Sequence, residues 1–399
     1  MQAIDRSFLN LKTYCEAENF KGWDPYDGLN SKVFNATPLK HWDLARLVWI
    51  QGFKRSPINF RKLFAVPKQH NAKGIGLFLN GYCNLYQLAE KGEFRFGTKE
   101  AILKTITALS DLLLHMQHKD YSGACWGYNF DWQARRLFLF PAHTPTVVAT
   151  SFCVQGLVKA YDITQNQEYL HTALSAANFI TKDLNRTAFN SGFLFSYSPL
   201  KGNDTVINAS LLGAKTLSLL YKYSKDPEHL ELARTTIKAC CEAQQKDGSW
   251  VYGMLPVQNW IDSFHTGYNL DAMQVYQDAS GNMEFKNCLE KGFQFYIQNF
   301  FLPDGTPKYY HDQTYPIDIH CPGQLFVNLS LHRKFPENKE LADKVMQWTL
   351  NNMQDRQGYF YYQLKKGISS KISYMRWSNA FMFNAMSYYL LETNKTNGI

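Results

Sequence analysis

Five times along the chain a turn glycine is followed at once by a cluster of aromatic side chains: SGACWGY (122–128), SGFLFSY (191–197), DGSWVYG (247–253), DGTPKYY (304–310) and QGYFYYQ (357–363). Their glycines, Gly123, Gly192, Gly248, Gly305 and Gly358, lie 69, 56, 57 and 53 residues apart. A turn glycine followed by alternating rings predicts a tight turn entering a short extended segment. Recurrence at this interval restricts the chain to an array of similar supersecondary units.

Each interval predicts a pair of helices. The stretches before the glycines (99–117, 166–184, 226–246, 283–300 and 337–354) carry charge on one face, as in HLELARTTIKACCEAQQK, and should form an outer, solvated layer. The stretches after the aromatic clusters (145–163, 205–224, 264–278, 320–333 and 376–393) are more apolar and rich in Gly, Ala and Ser, as in VINASLLGAKTLSLLY, and should be buried. KGIGLFLNGYCNLYQLAE (73–90) adds a sixth inner helix, with PLKHWDLARLVWIQGF (38–53) expected as its outer partner. Residues 1–37 are then an N-terminal extension packed on one domain of 38–399. Six hairpins close into an all-α (α/α)6 toroid with short aromatic β-like turn segments. Open superhelices of the TPR or HEAT kind have shorter periods and lack the aromatic turns.

Composition narrows the function classes. Aromatics make up 15% of the chain, an excess suited to a cleft in which rings stack on flat ligands. The formal charge of +8 favours anionic partners, but no solid basic tract points to nucleic acid. The eight cysteines form no CxxC pair, so no structural zinc site is expected. The first twenty residues lack the basic and apolar regions of a signal peptide, and no apolar run is long enough to span a bilayer, so a cytoplasmic location is expected.

In a closed toroid the N-termini of the inner helices converge on one mouth, where free N–H groups make the field positive. Asp204 with Asn208, Asp262 with His265, and Asp318 with His320 mark three successive inner-helix starts. Asp is a preferred N-cap, which accounts for the acids but not for the histidines. His265, His320, Asp262, Asp131 and Tyr268 are therefore the candidate catalytic groups. Asp131 also has a plain alternative, pairing with Arg135 or Arg136. Trp126, Tyr128, His143, Asn208, Trp250, Tyr309, Tyr310, Asp318, Arg376 and Trp377 are the candidate substrate contacts, with Arg376 and the basic 54–73 stretch (Lys54, Arg55, Arg61, Lys62, Lys68 and Lys73) set to hold carboxylates and Trp377 to stack on a sugar ring. No phosphate-binding loop, zinc-binding HExxH or GxSxG elbow is present, and no metal or cofactor is expected.

The helix pairs with aromatic turns over about residues 38–393 resemble the six-hairpin toroid glycosidases, lyases and sugar epimerases, such as unsaturated glucuronyl hydrolases and the helical domain of glucuronyl C5-epimerases. SPINFRKLFAVPKQHNAKGIGLFLNGYCNLY (56–86) also resembles toroid proteins encoded with bacterial capsule and exopolysaccharide genes. The resemblance implies an enzyme acting on an acidic oligosaccharide or polysaccharide by proton abstraction (lyase or C5-epimerase) or by hydrolysis, with polysaccharide-assembly proteins as further partners. It supplies no catalytic pair residue by residue. A non-catalytic glycan-binding or scaffold toroid is the first alternative. A terpenoid-cyclase-like toroid is a weaker one: DGSWVYG resembles the Gln-Trp-type turns of those enzymes, but the chain has no DxDD or DDxxD cluster.

Overall fold

The computed structural model describes residues 3–133 and 139–397. Six inner helices ring a central axis: α4 (Ala72–Glu90), α6 (Val147–Thr164), α8 (Ile207–Ser224), α10 (Ser263–Ser280), α12 (His320–Leu331) and α14 (Phe381–Asn397). Each packs against the next, and α14 returns to α4, so the ring is closed. The outer layer comprises α5 (Lys99–Met116), α7 (Gln167–Asn178), α9 (Pro227–Glu242), α11 (Lys286–Asn299), α13 (Lys339–Met353) and α1 (Ala3–Ala17). The fold is the (α/α)6 toroid.

The sixth outer helix is therefore α1, not the 38–53 segment. Phe8, Leu11 and Cys15 of α1 are fully buried in the main core, with the Phe8 ring 5.1 Å from Phe96 and 5.0 Å from Phe383. The turn glycines explain why α1 fits there. A Cβ on Gly123, Gly192, Gly248 or Gly305 would run into the backbone of Ser175, Thr235, Lys291 or Lys344, each on the next outer helix. A Cβ on Gly358 would meet the backbone of Asn10, on α1. The repeat thus ends on the first helix of the chain.

Residues 18–71 instead run across one end of the ring, with α2 (Lys32–Asn35) and α3 (Asp43–Arg55). On the buried face of α3, Ile50 packs with Leu29 and Phe34 and the Phe53 ring lies 5.7 Å from Phe64, while Leu44 and Val48 are 66% and 63% exposed. A buried Arg61–Asp27 pair at 2.6 Å and an Arg61–Tyr374 hydrogen bond at 3.0 Å hold this segment in place. The aromatic turns form short antiparallel pieces, such as Arg186–Phe189 with Gly192–Phe195 and a three-stranded sheet in which Asp318 pairs with Gln363. Among the described residues no helix is long and apolar enough to cross a membrane.

If α1 is a ring element and α3 a surface helix, their substitutions should differ sharply in cost. Phe8→Ala is expected to lower stability by about 3–5 kcal/mol. Val48→Ser is expected to change it by no more than about 0.5 kcal/mol. Denaturant unfolding of both variants checks the assignment, and equal costs would refute it.

Candidate active site

Backbone bonds set a common register at the mouth. The first-turn amides of Val147, Ile207, Ser263, Ile319 and Met375 donate to the carbonyls of Tyr197, Tyr252, Tyr309, Tyr362 and Trp23, at 2.9–3.3 Å. Four of these acceptors lie in the aromatic segments. The fifth lies in the N-terminal segment and completes the pattern across the seam between chain ends. The residues following the bonded amides are Val148, Asn208, Phe264, His320 and Arg376. Lys73 holds the corresponding place on α4, which Asn71 caps through the Gly74 amide. All six are buried, so four polar side chains crowd an apolar enclosure.

This register corrects the sequence alignment. His320 matches Phe264 and Asn208, and His265 lies one residue further into its helix. Asp204 is no cap: it accepts the Thr187 hydroxyl, and Val206 starts α8 without a side-chain cap. Asp262 does cap α10, its Oδ1 accepting the His265 amide at 3.0 Å.

Asp262 also does more. Its Oδ2 accepts the Trp260 indole N–H at 2.9 Å and faces His265 Nδ1 at 2.7 Å. A carboxylate can only accept, so the Nδ1 hydrogen is directed at Asp262 and the lone pair of a neutral ring sits on Nε2. Nε2 has no hydrogen-bond partner among the described residues, and the side chain is 20% exposed. Tyr252 and Phe264 flank the ring at 4.7 and 4.1 Å.

His320 is the buried counterpart. It is packed among Phe264, Trp377 and Phe381, with centroids 4.8, 4.3 and 4.0 Å away. Both its nitrogens lack hydrogen-bond partners among the described residues. Burial, with the positive charges of Lys73 and Arg376 nearby, pushes its pKa well below the usual imidazole value, so the ring is neutral. Asp318 is also buried; its Oδ1 accepts the His320 amide and the Trp377 indole N–H, both at 3.0 Å. Burial pushes its carboxyl up to about 6, more than these hydrogen bonds pull it down.

Asp318 lies at a cavity of about 330 Å³ walled by Tyr26, Tyr309, Tyr310, Tyr362 and Trp377. Lys54, Arg55 and Lys365 bring three cations to the same cavity. Burial, and repulsion from the other two cations, lower the Lys365 pKa.

Other expected contacts are placed differently. Arg376 is 5% exposed and holds Asp24 bidentately at 2.5 and 2.8 Å. Its carboxylate partner is therefore within the chain. Displacing Asp24 would strand a buried charge, at about 3–5 kcal/mol, and offset what a substrate carboxylate gained there. Trp126 and Trp250 do not reach the mouth. Their rings are buried, and their indole N–H groups donate to Leu113 and Cys240 carbonyls of outer helices at 2.9 Å. Tyr128 stacks on Phe130 beneath the Arg376 guanidinium. Asp131 accepts the Ala142 amide; Arg135 and Arg136 lie outside the described residues. His143 is exposed, with positive φ. Asn208 is buried with Oδ1 unpartnered among the described residues. Tyr268 is buried and accepts from Lys73 Nζ at 3.5 Å.

Sequence reasoning missed several groups here. Tyr362 follows its turn glycine by four residues, as Tyr252 and Tyr309 do, so the repeat register marks it. Lys73 was visible only as part of a basic stretch; burial, then Arg376, push its pKa well down, and its Nζ sits 4.4 Å over the Phe152 ring. Tyr26 and Asp24 carry no local signal. Among the described residues no group of three or more His, Cys, Asp or Glu is placed to hold a metal ion.

No protein-family model matches the chain, and no curated protein matches it by sequence. Solved structures do. Cellobiose 2-epimerase from Bacillus thermoamylovorans is 14% identical over 81% of this chain and 90% of its own, with a TM-score of 0.59. A GH76 alpha-mannanase from Bacteroides thetaiotaomicron is 13% identical over 94% and 100%, with a TM-score of 0.63. An unsaturated glucuronyl hydrolase specific for heparin is 12% identical over 98% of each chain, at 0.58. At such identities the likeness is one of backbone architecture, the six-hairpin toroid.

The raised Asp318 carboxyl has a stability consequence. A carboxyl with a higher pKa folded than unfolded favours folding below the unfolded value, 3.8, and that contribution is lost as pH rises through about 6. Asp318→Asn keeps an acceptor but cannot titrate. Between about pH 4 and 6 it should therefore lose less stability than the parent, by up to about 1.4 kcal/mol per pH unit. Urea unfolding across that range is the check, and parallel pH profiles would refute it.

Proposed function

We propose that the mouth binds an acidic, uronate-containing saccharide and that the Asp262–His265 pair abstracts a proton next to the sugar carboxylate, as a lyase or C5-epimerase does. The observation that carries this reading is the imidazole Nε2 of His265, without a hydrogen-bond partner among the described residues and fixed in orientation by Asp262. A base needs a lone pair aimed at the site and a second group that stabilises the imidazolium once formed, and Asp262 supplies the latter. His320, neutral and enclosed by Phe264, Trp377 and Phe381, holds no imidazolium proton to deliver, so in this reading the imidazolium formed on His265 returns its proton to the leaving oxygen or to C5. Tyr309, Tyr310 and Trp377 would stack on sugar faces, while Lys54, Arg55 and Lys365 would neutralise the carboxylate and the charge that develops on it. In this reading Lys54 and Arg55 keep the role expected of the basic 54–73 stretch, while Arg376, held by Asp24, does not share it.

The carboxylates favour proton abstraction over hydrolysis. Glycosidic hydrolysis by the usual route needs an acid and a second carboxyl free to act as base or nucleophile. Asp24 is held by Arg376 and Asp262 by three N–H donors. Hydrolysis remains the second reading because Asp318, raised to about 6 at the cavity wall, is suited to a general acid. The epimerase and glycosidase structures sharing this architecture are in keeping with either chemistry.

Uronate-containing oligosaccharides incubated with the protein in deuterated water separate the readings by NMR and mass spectrometry. Deuterium at C5 or a new 4,5-double bond is the expected result. A gain of water with C5 unlabelled would establish hydrolysis instead, and no turnover of any glycan would sink both. Asp262→Asn preserves the N-cap but not the charge behind His265, so kcat is expected to fall by on the order of 10²-fold or more with folding retained.

A further inference from the structure

The segment that crosses the mouth also presents an unusual outer surface. Among the described residues, eight of the fourteen exposed large hydrophobic side chains lie between Val33 and Leu63. Leu44 and Val48 are one turn apart on the outer face of α3; Trp42 just before the helix is 63% exposed, and Ile58 and Leu63 after it are 61% and 72% exposed. The helix is thus amphipathic in two directions, burying Ile50 and Phe53 on the ring side while leaving an apolar stripe in water.

Charge gathers in the same place. Residues 30–70 contain eight Lys and Arg against a single acid, Asp43, which leaves 34 Lys and Arg against 33 Asp and Glu in the rest of the chain. Asp43 is already paired with Arg46. Arg61 is buried on Asp27 and Lys68 is paired with Glu18, so the cations of this stretch that are exposed and without an ion-pair partner among the described residues are Lys32, Lys40, Arg55 and Lys62, in the same stretch as most of the exposed large hydrophobic side chains.

From this coincidence we infer that α3 and its flanking loops dock on the surface of an anionic lipid bilayer. Apolar side chains enter the headgroup boundary, a Trp sits at that level, and flanking Lys and Arg meet acidic headgroups. A second copy of this face is the wrong partner, because face-to-face pairing would bring like charges together. Nucleic acid would use the cations but leave Leu44, Val48, Ile58 and Leu63 without a role. Gln51, Lys54 and Arg55 of the same helix line the 330 Å³ cavity. Docking therefore sets the mouth beside the bilayer, and (resting on the saccharide reading above) suits a substrate carried on a membrane lipid.

Co-sedimentation of the full-length protein with vesicles tests the docking without any saccharide. Binding is expected to vesicles of phosphatidylglycerol in phosphatidylcholine, to weaken with salt, and to be absent on pure phosphatidylcholine. Leu44→Asp with Val48→Asp should abolish it. Lys32→Gln, Lys40→Gln and Lys62→Gln should each weaken it about five-fold. All these positions are exposed, so thermal melting should be unchanged. Failure to bind anionic vesicles, or undiminished binding by the double variant, would overturn the inference, as would a dimer in sedimentation velocity that the double variant dissolves. Turnover of soluble oligosaccharide by the double variant should equal that of the parent, so loss of docking and loss of catalysis are read separately.

Discussion

The fold depends on a seam made from the two ends of the chain. Gly358 lies against the backbone of Asn10, and the Met375 amide donates to the Trp23 carbonyl at 3.0 Å. Both contacts repeat a pattern seen at four other places around the ring, where a glycine allows close approach to the next outer helix and a first-turn amide bonds a neighbouring carbonyl. Each unit leaves an apolar face that only its neighbour can cover, so an open end would expose core. Closure removes that exposed end, and α1 supplies it from a region with no aromatic turn of its own.

The same seam sets the electrostatics of the mouth. Arg376 comes from the last hairpin and Asp24 from the segment after α1, and their buried bidentate pair joins the crossing segment to the ring. The carboxylate in that pair is the protein's own, while the cavity cations Lys54, Arg55 and Lys365 have no ion-pair partner among the described residues, Lys54 donating to the Tyr26 hydroxyl at 2.7 Å. Burial then acts in opposite directions on neighbouring groups. It lowers the pKa values of His320 and Lys73 and makes Asp318 hold its proton longer.

Much of the ring was legible because periodicity is a local property. The turn glycines, the charged outer faces and the Gly- and Ala-rich inner helices each follow from neighbours within one or two turns of chain. Their expected spans agree with the observed helices to within a few residues, apart from the last inner helix, where an irregular turn over 375–380 precedes α14. At the site, Asp262 and His265 could be paired from sequence because three residues in a helix's first turn are neighbours. Asp318, Tyr309, Tyr310 and Trp377 were legible for the related reason that repeats place equivalent residues at one mouth.

What the sequence could not determine is which distant segment meets which. Trp126 and Trp250 sit in the aromatic clusters, but only packing decides that their rings brace the outer helices and leave the cavity to Tyr309 and Trp377. The 38–53 stretch has the apolar content of a hairpin partner; α1 takes that place because its Phe8 reaches Phe96 and Phe383. Sequence by itself determined the repeating unit, the helix pairs and the acid–imidazole step at a helix start, since these rest on local spacing and capping. Tertiary structure alone decided the ring's closing helix, the neutralisation of Arg376 by Asp24 and the cover over the mouth, because each depends on groups hundreds of residues apart sharing one buried volume.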